Sequence, residues 1–328
     1  MTDAVLSPSG VCTVVDGSGS DQVPFTRETV DGLLARDTFF WLDLHDPRPD
    51  DFAILRDVFA FHPLAVEDSE HFGQRAKIED YDDFTFLVVF GAVPHDDRLV
   101  EVHCFTSPRF LVTVHRDDCP AFAEVRRRYA QRASLLDDPS LLLYRIVSAL
   151  VDSFFPILTD FDDRIDDLEN ALFAHADEAE LQEIFQLKRL LIGMRKALTP
   201  QRDVFGAVAA GVVQLPGLTA EHEHYFRDVY DHLIRICDLI DGYRDLLSGA
   251  MDVYLSMVSN RVNGVMKQLA VIATIFLPLS WITGFFGQNF GWLVDSVGGW
   301  PAFVGVGIGT EVVALAILLG FFRRRGWF

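Results

Sequence analysis

Leu269 to Phe286 reads LAVIATIFLPLSWITGFF, and the turn after it begins Gly287-Gln288-Asn289-Phe290. Such a run of roughly twenty apolar residues is long enough to cross a bilayer as a helix. A second run goes from about Trp300 to Phe322. The turn between them carries no Lys or Arg and one acid, Asp295. An amide at the mouth of a pore-forming hairpin can hold a hydrated cation without binding it too tightly to release. The two spans and their turn therefore set the reading of the rest of the chain.

Positive charge gives the expected orientation. Arg261 and Lys267 precede the first span, and Arg323, Arg324 and Arg325 follow the second. The positive-inside rule then puts both termini in the cytoplasm and the turn outside, as expected of a multi-pass protein of the cell (inner) membrane. The 328 residues carry a net charge of −20. From Asn263 onward the balance is +2, so the first 262 residues carry −22. So acidic a body is a poor partner for nucleic acid and a good one for cations. The four cysteines (Cys12, Cys104, Cys119, Cys237) form no CxxC pair, so neither a disulfide framework nor a thiolate zinc site is expected. The opening MTDAVLSPSG lacks the basic and apolar regions of a signal peptide. No catalytic constellation or nucleotide-binding loop stands out, so no enzyme activity and no cofactor are expected.

Three segments follow from composition: an α/β region over 1–135, long helices including a stalk over 136–262, and the membrane hairpin with a basic tail over 263–328. In the first, Val11–Val15, Phe39–Leu44, Phe84–Val93, Leu99–Phe105 and Phe110–His115 are short β-branched or aromatic runs bounded by turn residues, and read as strands. Helices are expected at Asp50–Phe61 and Pro120–Ala133, and Ser7–Ser20 reads as partly loop. One long helix is expected over about 141–174 and another over about 178–213. After Pro216 and Gly217 no proline occurs until Pro278, which predicts one helix from about Glu221 into the first span.

That long helix carries two patterns. Val229, Leu233, Ile236, Ile240, Tyr243, Leu247, Ala250, Tyr254 and Met257 alternate spacings of four and three, an a/d seam over four heptads. The seam serves either packing on the two preceding helices or association of stalks, and periodicity does not choose between them. Asp231, Asp238, Asp245 and Asp252 recur every seven residues, flanked by Asp228 and Asp241. On a lone helix this is an ordinary solvated face. Around an axis of several stalks it becomes a stack of carboxylate rings that concentrates divalent cations below a pore.

The chain resembles the CorA family of divalent-cation transporters in three places. One is His62-Pro63-Leu64, Glu67-Asp68, Gln74-Arg75 and Lys77. Another is Gln186-Leu187-Lys188-Arg189 with Arg227-Asp228-Val229-Tyr230-Asp231-His232. The third runs from Asn263-Gly264-Val265-Met266-Lys267 through Ala273-Thr274-Ile275-Phe276-Leu277-Pro278-Leu279 to the turn. The resemblance implies a homopentamer in the lipid bilayer, each subunit giving a cytosolic α/β funnel domain (an α/β/α sandwich), a long pore-lining stalk helix, and a second span packed outside it. Gly287, Gln288 and Asn289 then form the selectivity filter. Members carry Gly-Met-Asn there, and the Gly-Gln-Asn of this chain is a variant of the kind seen in the related ZntB-like zinc transporters. Asn263, Met266, Leu269, Leu277 and Ser280 match pore-facing positions, with Asp252 of the acidic ladder below them. Glu67 and Asp68 match cytosolic metal-sensing acids, with Asp228 their partner on a neighbouring stalk. Divalent cations are the cargo and the regulatory ligand. The implied function is inward transport of Mg2+, with Co2+ or Ni2+, gated by cytosolic metal. The alternatives are a ZntB-like Zn2+ transporter driven by protons, and a non-conducting membrane-anchored metal sensor or scaffold.

The residue chemistry fits that role. Asn289 offers a neutral carbonyl oxygen, and five of them could hold the waters of a hydrated ion that dehydrates reluctantly. Capping of the helix end is its structural alternative. Met266, Leu269 and Leu277 would make constrictions that gate by dewetting. Glu311 stands apart, near the middle of the second span, where an ionisable group is costly. Its two readings are proton coupling and a protonated carboxyl bonded to a neighbouring helix.

Overall fold

Runs of β-branched and aromatic residues place seven strands in one sheet: β1 Val11–Asp16, β2 Gly19–Val23, β3 Phe40–His45, β4 Lys77–Tyr81, β5 Phe84–Val93, β6 Asp96–Thr106 and β7 Phe110–His115. The order is β2-β1-β3-β7-β6-β5-β4, antiparallel throughout except for the parallel pair β3–β7. The computed structural model describes residues 11–16, 19–36, 38–94, 96–131, 139–174, 176–218, 222–288, 291–296 and 298–327. The chain divides into two units, Met1–Met251 and Asp252–Phe328.

Helices cover both faces of the sheet, which is why β5 is buried continuously from Phe84 to Ala92 instead of alternating. On one face lie α1 (Arg27–Leu34), α2 (Pro49–Asp57) and α3 (Pro63–His71). There Phe61, which follows α2, stacks on Phe105 at 4.2 Å. On the other face α4 (Ala121–Gln131) sets Phe122 edge-on to Trp41 at 5.5 Å. Next come α5 (Pro139–Asp152), α6 (Phe154–Ala174) and α7 (Glu178–Ala209). Gln201 of α7 is fully buried, and it accepts from the Phe90 N–H at 2.6 Å and donates to the Phe90 carbonyl at 3.2 Å. It thus serves as a strand would, beyond the point where β4 stops pairing with β5 at Val88. The arrangement is the α/β/α sandwich expected from the sequence.

Several boundaries differ from the expectation. The single helix over 141–174 is two, broken at Ser153. Pro156 has no N–H for the Asp152 carbonyl, and the Ser153 hydroxyl instead accepts from the Ala92 N–H at 2.8 Å. Helix α7 stops at Ala209 rather than Val213. Gly211 turns left-handed (φ +70°), with Val212 N–H to Ala207 O and Gly211 N–H to Val208 O both at 3.0 Å, a Schellman cap. Helix α2 stops at Asp57 rather than Phe61, because Phe59 and Phe61 turn into the aromatic core. β2, β4, α1 and α3 were not anticipated. β2 falls partly within the expected Ser7–Ser20 loop; 7–10 and 17–18 of that loop lie outside the described residues.

Helix α8 runs unbroken from Glu223 to Phe286, 64 residues. Its seam from Val229 to Ala250 is buried within the first unit. There Phe226 lies 6.3 Å from Phe205, and a Cβ at Gly206 would come within 2.9 Å of the Tyr230 ring. Packing on preceding helices therefore accounts for that part of the seam, and stalk association over 229–250 does not. The turn after α8 holds a short helix, α9 (Gly291–Ser296). The expected second span is not one regular helix: α10 (Trp300–Ala302) leads into a π-helical segment, Phe303–Ile308, and then α11 (Gly309–Arg324).

Candidate functional site

In the second unit α8 and α11 form a hairpin, and α8 has two unlike faces. At 100° per residue, Asn263, Met266, Leu269, Leu277, Ser280 and Asp252 fall within about a third of the helix circumference. All six are exposed in the chain, Leu277 by 76%. Val271 lies on the opposite side and is buried; Ile275, Leu279, Ile282 and Phe286, near it, are half-buried. On α11 the buried counterpart is Phe322. At the same end the Lys267 ammonium sits 5.4 Å from the Trp327 ring. The hairpin thus gathers Lys267 and the basic residues of the last turn of α11 at one end and the Gly287 turn at the other.

The turn begins where α8 ends. The Gly287 N–H donates to the Thr283 carbonyl at 2.9 Å, and Gln288 N–H to Phe285 at 3.3 Å. A Cβ at Gly287 would sit 3.2 Å from the Thr283 carbonyl, closer than side-chain carbons ordinarily come, so glycine suits this tight exit. Gln288 is exposed beside it. Asn289, the residue on which the filter reading turns, lies outside the described residues. Behind the turn is a cavity of about 590 Å³, lined among others by Gly287, Gln288, Phe303 and Glu311.

In the first unit the ladder residues Asp231, Asp238 and Asp245 are exposed along α8, as is Asp252 in the second. Asp228 is exposed too; its carboxylate lies 3.5 Å from the Tyr144 hydroxyl and 3.8 Å from His232 Nε2. Glu67 and Asp68 sit on α3, Glu67 exposed and Asp68 half-buried. The Lys77 ammonium lies between Asp68 at 2.6 Å and Glu79 at 2.7 Å. Burial pushes the Lys77 amine down, but its bonds to Asp68 and Glu79 outweigh this and hold it above the usual lysine range. Among the described residues, Glu67, Asp68 and Asp228 included, no group of three or more His, Cys, Asp or Glu side chains could hold a metal.

The sequence motif holds Lys77 but does not set it against Asp68, because that contact joins α3 to β4; strand alternation would pair Lys77 with Glu79 alone. Sequence reasoning also missed the support under α3. Glu101 accepts from the Gly73 and Gln74 N–H groups at 2.7 and 2.9 Å, and one of its oxygens lies 2.7 Å from His103 Nε2. Burial pushes the Glu101 carboxyl up, yet these bonds hold it below its ordinary value. The left-handed Phe72 and Gly73 are pinned by this carboxylate, which fixes the segment between Asp68 and Lys77. The cysteines are buried free thiols, pushed up to about 12 at Cys12 and Cys119 by burial.

Comparison with known proteins now bears on this geometry. The family described as CorA-like Mg2+ transporter protein matches residues 36–324. A cobalt/magnesium transport protein CorA of Thermotoga maritima is 34% identical over 275 residues, spanning 82% of this chain and 77% of that one. Another, from Methanocaldococcus jannaschii, is 26% identical over 295 residues, 88% of this chain and 90% of that one. The solved structure of the complete CorA magnesium transporter from Methanocaldococcus jannaschii superposes with a TM-score of 0.84 at 24% identity, covering 98% of this chain and all of that one.

Proposed function

The chain belongs to the CorA-like Mg2+ transporter family, whose members move divalent metal ions, and from this premise we propose a homopentameric channel that carries Mg2+ into the cytoplasm, with Co2+ or Ni2+ as secondary cargo. The observation that carries the reading is the exposed line Asn263, Met266, Leu269, Leu277 and Ser280, turned away from the face of α8 that the chain itself covers. Polar groups avoid lipid, so Asn263 and Ser280 favour a water-filled axis over a lipid contact. Five Asn289 amides at the turn hold the hydrated ion, with Gly287 and Gln288 completing the filter. Below, Asp252 and the ladder concentrate cations along the axis. Both termini face the cytoplasm in this reading, which the basic end of the hairpin supports through the positive-inside rule.

Transport needs no nucleotide. A negative-inside potential supplies roughly 2.3 kcal/mol per charge per 100 mV, about twice that for a divalent ion. A passive route needs a gate, and the acids of α3 provide one. A divalent ion bridging Glu67 and Asp68 to Asp228 of a neighbouring stalk locks subunits together, and Lys77 keeps Glu79 as partner when metal takes Asp68. Falling cytosolic metal dissolves the bridge.

Fluorescent Mg2+ uptake into proteoliposomes under a negative potential tests this; an inert wild type sinks it. Gln288 favours a second reading, a ZntB-like Zn2+ transporter driven by protons. Comparing Zn2+ with Mg2+ flux, with and without a pH gradient, separates the two. A non-conducting sensor or scaffold is the third, and it predicts that Asn289→Ala leaves metal movement unchanged.

A further inference from the structure

The Lys77 ammonium stands between two carboxylates, 2.6 Å from Asp68 and 2.7 Å from Glu79. All three groups are held in place. Lys77 lies on β4, whose backbone pairs it with Val88 of β5, and its ammonium sits 5.5 Å from the centre of the Phe86 ring. Glu79 is two residues along the same strand, on the same face, and accepts from the Tyr81 hydroxyl at 2.9 Å. Asp68 is placed by its neighbour on α3. Ser69 is fully buried, donates to the Ala65 carbonyl at 3.0 Å and lies 2.8 Å from His103 Nδ1. The Asp68 side chain is 23% exposed and that of Lys77 28%, so salt screens the pair only in part.

A cation of the protein's own thus already occupies Asp68. Glu67, next to it, is exposed and forms no ion pair among the described residues. What can displace the ammonium follows from charge. A K+ or Na+ ion at Asp68 replaces one positive charge with one, and it competes with a group tethered to the same domain at a high effective concentration. A divalent ion replaces one charge with two, and the attraction of a carboxylate for it is correspondingly doubled. The displaced ammonium meanwhile keeps Glu79, 2.7 Å away, and is not left without a partner.

We propose that Lys77 is a built-in counter-ion that makes Asp68 answer to divalent rather than monovalent cations, and that it sets the concentration at which Asp68 does so. This rests on the reading of Asp68 as a regulatory metal ligand. When divalent metal is scarce, the ammonium covers Asp68 and K+ finds no vacant carboxylate. When metal is plentiful, the ammonium retires to Glu79 and the divalent ion takes Asp68.

The test uses the full-length protein in detergent. Protection from limited proteolysis is followed as MgCl2 rises, in KCl and in N-methylglucamine chloride of equal ionic strength. Wild type is expected to show one midpoint in both salts. Lys77→Met should lower the midpoint about tenfold in the organic salt, and KCl should raise it again because K+ now competes. Lys77→Arg, which keeps the charge, should behave as wild type, so that lost charge is told apart from lost packing. Glu79→Gln leaves the ammonium to Asp68 alone and should raise the midpoint; an unmoved or lowered midpoint there overturns the proposal even if Lys77→Met does not fold. A Lys77→Met midpoint equal to wild type, or equal in the two salts, overturns it as well, with the metal-sensing reading intact. A wild type that Mg2+ never protects overturns that reading and the proposal with it.

Discussion

Helices α5 and α6 taken together and the second span of the hairpin are alike in composition and opposite in fate. Among the described residues, Ser140–Ala174 and Trp300–Arg324 are both long and apolar enough to cross a membrane, as is Glu223–Phe286. The apolar window of the first is 61% buried and that of the second 0%. The difference is where the polar groups go. Helix α6 buries Phe154, Ile157, Leu158, Phe161, Ile165, Leu168 and Leu172, and exposes Asp162, Asp163, Asp166 and Asp167 on its other side. Helix α11 has no such polar face before its final arginines. A one-sided apolar stripe asks for a protein neighbour, whereas an apolar surface all round suits lipid or further helices.

Substitutions can break or sharpen this contrast. The largest effect is expected from Phe105→Ala, which empties the centre of the aromatic cluster with Phe61, Phe84 and Phe86. It should destabilise the first unit by about 3–5 kcal/mol in a denaturant titration of the detergent-solubilised chain. Phe276→Ala, at a side chain 64% exposed in the hairpin, should leave that transition in place. Equal losses at the two sites would erase the distinction between core and membrane surface.

Asp43→Asn comes next, at about 3 kcal/mol. Asp43 is buried against His115 at 3.1 Å and Arg126 at 2.9 Å. Burial pushes its carboxyl up, but the bond and charge of His115, with Arg126 and Thr113, hold it below the usual range. Burial likewise lowers His115, and Asp43 raises it above its ordinary value. The Asp43 contribution is present above a pH of about 3.9 and fades as pH falls through its lowered native value. The His115 contribution is complete below a pH of about 6.5 and fades as pH rises through its raised one. Melting temperatures across pH should show a plateau between those limits in wild type, with both shoulders flattened in Asp43→Asn.

Gln201→Ala should cost about 1–3 kcal/mol by leaving the Phe90 N–H and carbonyl unpaired, and hydrogen exchange should quicken first at Phe90. Smallest is Asp245→Asn on the exposed ladder, within about 0.5 kcal/mol on stability. A large stability loss there would mean the ladder is structural; lower divalent flux with unchanged stability would support a role in gathering cations.

The sequence showed the elements whose pattern is strong and local. The runs of β1, β3, β5 and β7, the unbroken stretch before Pro278 and the two apolar spans all sit where periodicity and proline spacing put them. β4 was missed because Lys77-Ile78-Glu79-Asp80-Tyr81 is mostly polar, and it is a strand because β5 supplies its partner. The split at Ser153 follows from Pro156, four residues after Asp152, while the Ala92 N–H that the Ser153 hydroxyl accepts from lies 61 residues away in sequence, where no local pattern points. At the candidate site the pore-line spacing was legible, since helix geometry alone fixes which residues share a face. The Thr283–Glu311 contact was not: it joins residues 28 apart through a turn and a π-helical segment that nothing in the apolar run announces.

The four buried thiols have a practical consequence. Cys12, Cys104, Cys119 and Cys237 are each at most 2% exposed, and burial holds all four above the ordinary thiol range. Reagents that need an accessible thiolate should pass them by in the folded protein. A single cysteine placed at Asp245 or Leu277 should therefore take a spin label or fluorophore without a cysteine-free background, so that distances between copies in the membrane can be measured on the otherwise native chain.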